Sequence, residues 1–88
     1  MTTTEENQIR SDLLTLLICY RMHLHEPATL RMAKVKDCCQ LLLERTDNKT
    51  MIESYCQIIR GIYDRRFVDV TMILNATENN YAKVYMNV

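Results

Sequence analysis

Cysteine and histidine have the widest chemical range in this chain, and Cys19 and His23 stand four residues apart. That spacing puts both on one helix face, as paired metal ligands require. A zinc site needs more ligands than these two. His25 is only two residues from His23 and falls on a different side, while Cys38 and Cys39 are adjacent and lack the two-residue gap of a C-x-x-C motif. Free cysteine is among the most buried residue types, so Cys19, Cys38, Cys39 and Cys56 read as packing residues. The vicinal thiols have Lys34 and Lys36 nearby but no adjacent base, so they do not form a nucleophile site. His23 and His25 near a helix end suit the partial negative charge of its last carbonyls. The carboxylate pairs Asp64 with Asp69 and Glu44 with Asp47 lie in polar segments without a pocket-forming context, and one glycine cannot build a phosphate-cradling loop. No catalytic residue, metal or cofactor is expected, and the chain reads as non-enzymatic.

The densest cationic feature is Arg60, Arg65 and Arg66 around Tyr63. Arginine and tyrosine combine bidentate hydrogen bonding with large amphipathic contact area, the chemistry that binding hot spots favour. These four residues are the expected partner-binding group. Glu53, Asp64 and Asp69 are close enough in sequence to make the same face an ordinary solvated one.

The elements that must position them come from a chain of 88 residues, 48% hydrophobic and 25% charged. A single small domain over residues 1–88 follows, with a core thin enough for partners to complete it. Eleven basic residues balance eleven acidic ones, five and six in the first half and six and five in the second. This even balance opposes strong non-specific nucleic-acid binding. The start of the chain has no basic segment ahead of an apolar run, and residues 13–20 are interrupted by Thr15, so neither an export signal nor a membrane span is expected. The expected location is intracellular, cytoplasmic or nuclear, with the cysteines reduced.

Thr3 and Glu6 have the spacing of a capping box, and Ile9, Leu13, Leu16, Leu17, Tyr20 and Leu24 follow at helical intervals, with Arg10, Asp12 and Arg21 off that stripe. Leu14 and Ile18 widen the apolar face beyond one stripe. Helix one should end near His25, because Pro27 disfavours helical geometry before it and can open the next helix. Helix two then runs from Ala28 to about Arg45, with Met32, Val35, Cys39 and Leu42 on its apolar face. Turn formers occupy positions 46–49, and a second capping box, Thr50 with Glu53, starts helix three at Met51.

The region after Gly61 supports two patterns. Tyr55, Ile59, Tyr63, Phe67, Val70 and Leu74 keep helical spacing, which carries helix three to about Asn75. Val68, Val70, Met72 and Leu74 also alternate, as do Ala82, Val84, Met86 and Val88, the pattern of a β-hairpin. The favoured fold is mainly α, a small bundle of three long helices with a short C-terminal extension. The alternative is α+β, three helices followed by a hairpin. In that order of elements, and in the stretch Gly61-Ile62-Tyr63-Asp64-Arg65-Arg66, the chain resembles winged-helix domains, which would imply a nucleic-acid-binding regulator reading with the helix from Met51. That helix opens Met51-Ile52-Glu53-Ser54-Tyr55-Cys56, without early side chains suited to base edges, so nucleic acid is not the favoured partner. The favoured function is a small protein-interaction module, an adaptor or a self-associating subunit of a larger assembly.

Overall fold

The computed structural model describes residues 3–81, except for the side chains of Thr3 and Tyr81. It is all-helical over that span, with α1 Thr3–Met22, α2 Ala28–Arg45, α3 Lys49–Tyr63 and α4 Phe67–Tyr81. The mainly α bundle is observed, with four helices in place of three. α1 packs on α2 and α4, and α3 packs on α2 and α4, so the helices form a closed ring around one core. Met32, Val35 and Cys39 from α2, Tyr55 from α3, and Val70 and Leu74 from α4 are fully buried there.

The expected long third helix is interrupted. Asp64, Arg65 and Arg66 form a Schellman turn, in which Arg66 N–H donates to Gly61 O at 2.8 Å and Arg65 N–H to Ile62 O at 3.1 Å. Arg65 sits at the left-handed position with φ 58°. Glycine or asparagine normally marks such a stop, so an arginine there hid it. The turn folds α4 back onto α3, and Gly61 makes the close approach possible: a Cβ at this position would lie 2.7 Å from Val70 Cγ2.

Residues 67–74 are helical, which overturns the first strand of the hairpin and with it the winged-helix element order. The expected second strand or tail beyond Tyr81 lies outside the described residues. α1 ends at Met22 instead of near His25, because residues 23–26 form a turn tied down by Arg31, whose guanidinium donates to Leu24 O and Glu26 O at 3.0 Å each. Leu24 consequently leaves the helical stripe and is 46% exposed. α2 has the expected bounds, with Pro27 one position earlier than expected, at the N-cap. α3 starts two residues early at Lys49, because Asn48 and not Thr50 provides the cap, its side chain accepting from Met51 N–H at 3.1 Å. The capping box expected at Thr3 involves a side chain outside the described residues.

Asp12 departs most from its expected place. It is 1% exposed, with its carboxylate oxygen accepting from Arg45 at 3.0 Å and from Gln8 at 2.9 Å. This polar seam joins the start of α1 to the end of α2. Together with the Leu24–Arg31 link, it shows that the two helices run antiparallel.

Candidate interaction surface

Arg60 and Tyr63 lie three residues apart on the last turns of α3, and Arg65 and Arg66 occupy the turn that follows. All four are exposed, Tyr63 by 65%. The fold adds a fifth member that local spacing could not supply. Lys36, from the middle of α2, places its Nζ 5.2 Å from the centre of the Tyr63 ring, a cation–π contact that tethers an otherwise open aromatic. This pairing crosses 27 positions of sequence, which is why helical periodicity within α3 did not reveal it.

All four of these cations are at most weakly neutralised among the described residues. Arg66 approaches Asp64 at 3.7 Å with both side chains more than half exposed, and Lys36 reaches Asp37 at 4.0 Å. Arg60 and Arg65 make no ion pair or side-chain hydrogen bond among the described residues. The positive end of the α4 dipole lies at the same turn and adds to its field, with Asp69 in the first turn of α4 as the nearest compensation. Holding a non-glycine residue at φ 58° costs about 1–2 kcal/mol. Strain of this kind persists where surrounding structure over-determines it, and the two Schellman hydrogen bonds do so here.

Beside the cations lies apolar surface. Val68 is 74% and Met72 64% exposed, one turn apart on α4. A hollow of about 280 Å³ opens between α3 and α4, lined by Gln57, Gly61, Arg66, Asp69, Met72 and Ile73 among others. Its shape depends on the missing side chain at Gly61.

The sulfur and imidazole groups are placed differently. His23 Nδ1–H donates to Cys19 O at 2.8 Å, so the pair that shares a helix face acts as side chain and helix-end carbonyl. The Cys19 thiol donates to Lys34 O at 3.5 Å across the α1–α2 contact, and Cys38 lies near enough to influence it. Burial, followed by the neighbouring Cys19, pushes the Cys38 thiol up to about 11, and burial raises Cys39 further. Both therefore stay protonated at neutral pH. Among the described residues no group of three His, Cys, Asp or Glu side chains converges as a metal site would need, and no helix is long and apolar enough to cross a membrane.

No family model, no curated protein and no solved structure matches the chain.

Proposed function

We propose that this chain is a non-enzymatic protein-interaction module whose contact surface is the α3–α4 turn, with Arg60, Tyr63, Arg65 and Arg66 as anchors and Lys36 in support. The observation that carries this reading is the exposed arginine pair Arg60 and Arg65, without ionic partners among the described residues, beside an exposed tyrosine. Large amphipathic side chains of this kind give most binding energy when a partner desolvates them. Protonated, half-buried or buried thiols and a His23 ring committed to a backbone carbonyl favour binding over catalysis. Four unbridged cysteines support a reducing, intracellular setting.

Chemical cross-linking in cells, comparing the wild-type chain with Arg65→Glu/Arg66→Glu, tests the reading. Loss of defined cross-linked partners, with the helical circular-dichroism signal retained, is the expected result. An unchanged set of partners would remove this surface from the function.

Self-association is a second form of the same function, favoured by a separate observation. Leu14, Ile18 and Met22 recur every fourth residue of α1 and are 43%, 48% and 63% exposed, an apolar stripe left open by the four described helices. Light scattering across the micromolar range decides it. A mass rising with concentration is expected, and a constant monomer mass rules it out.

A further inference from the structure

We propose that the α3–α4 turn accepts an acidic, amphipathic segment of a partner protein, whose carboxylates meet Arg60, Arg65 and Arg66 while an apolar side chain enters the hollow beside Gly61 and Met72. This inference rests on the interaction reading above and specifies the chemistry of the partner.

Charge complementarity selects the acidic component. Arg60 and Arg65 have no ionic partners among the described residues, Arg66 holds Asp64 only at 3.7 Å, and the α4 dipole presents its positive end at the same place. A guanidinium in this position is a fork shaped for carboxylate. The rest of the patch selects the amphipathic component. Val68 and Met72 continue the cationic turn along α4, and the adjacent hollow of about 280 Å³ has room for an aliphatic or aromatic anchor. An apolar anchor in a pocket, surrounded by charged contacts, is the usual anatomy of a protein-binding hot spot.

A nucleic acid fits less well. A phosphodiester chain gives the exposed Val68 and Met72 no matching apolar surface. A helix-forming protein segment can offer both chemistries on one face.

The conformation of Arg65 separates binding from folding in the test. Its backbone favours glycine, so Arg65→Gly removes the side chain while relieving the turn. Binding and stability should then change in opposite directions. The isotope-labelled 88-residue chain is titrated by NMR with a Glu/Leu amphipathic peptide, its Gln/Leu counterpart, polyglutamate and single-stranded oligouridine. The Glu/Leu peptide is expected to shift the amides of residues 60–73 and to weaken with salt. Arg65→Gly is expected to cost about tenfold in affinity while raising the melting temperature, and Arg60→Glu about tenfold without unfolding the chain.

Equal binding by the Gln/Leu peptide overturns the acidic requirement. Equal binding by polyglutamate overturns the apolar anchor, and tighter binding by oligouridine reassigns the surface to nucleic acid. If no peptide binds, yet cellular cross-links still depend on Arg65 and Arg66, this inference fails while the broader interaction reading stands.

Discussion

Arginine meets aspartate at opposite ends of the fold under opposite conditions. At the α1–α2 seam, Arg45 reaches an Asp12 that is almost fully buried, and Gln8 donates to the same carboxylate oxygen. At the α3–α4 turn, Arg66 and Asp64 are 3.7 Å apart in open water. The residue types are the same, but the first carboxylate has lost its hydration and depends on its protein partners, whereas the second can exchange its partner for solvent at little cost. The first pair therefore contributes to the fold, and the second leaves its arginine available.

The difference is sharpest when each arginine is removed. Arg45→Ala should destabilise the chain by about 2–3 kcal/mol in chemical denaturation, toward the low end for a buried pair because Arg45 itself reaches water. A loss below about 1 kcal/mol would place both pairs in one class. Next in size is the packing beneath the turn. Gly61→Ala gains about 1 kcal/mol of helix propensity but forces a Cβ onto the stiff, fully buried Val70, for a net loss of about 1–2 kcal/mol. Val70→Ala in the same chain should recover part of that loss, and strictly additive effects would mean that the contact is not what seats α4. Arg65→Gly should stabilise the fold by about 1 kcal/mol, read as a higher denaturation midpoint.

A gentler probe reads the seam through its thiols. Cys38 is raised from an ordinary 9.0 to about 11 in the folded chain, so the unfolded chain ionises first. Its stabilising contribution is complete below pH 9 and disappears as pH rises through about 11. Cys38→Ser should flatten the stability profile across that interval, and an unchanged slope would assign the alkaline loss to other groups. The smallest expected effect belongs to the open pair: Arg66→Ala should change stability by less than about 0.5 kcal/mol.

The two regions also differed in how legible they were from sequence. Local signals fixed the bounds of α2, because Pro27 opens it and the polar run after Arg45 closes it. The surface tyrosine and arginines were visible as a cluster. The stop at Arg65 was not, since left-handed backbone was imposed on a residue that does not advertise it. Asp12 looked like a residue for the solvent face because its partner Arg45 lies 33 positions away, and Lys36 could not be joined to Tyr63 by any helical period. The competing strand pattern in α4 also has a physical source. Val70 and Leu74 face the core while Val68 and Met72 are apolar residues left outside, so a helix carrying surplus apolar surface produces an alternating sequence.

That divided preference affects more than the reading of secondary structure. The run Phe67-Val68-Asp69-Val70-Thr71-Met72-Ile73-Leu74 combines β-branched and aromatic residues with a single charge, the composition of segments that assemble into fibrils once released from a fold. Its helical form is held by the burial of Val70 and Leu74 against the rest of the bundle. Asp69 is the one charge that interrupts the run, and any opening of α4 would expose its apolar residues together.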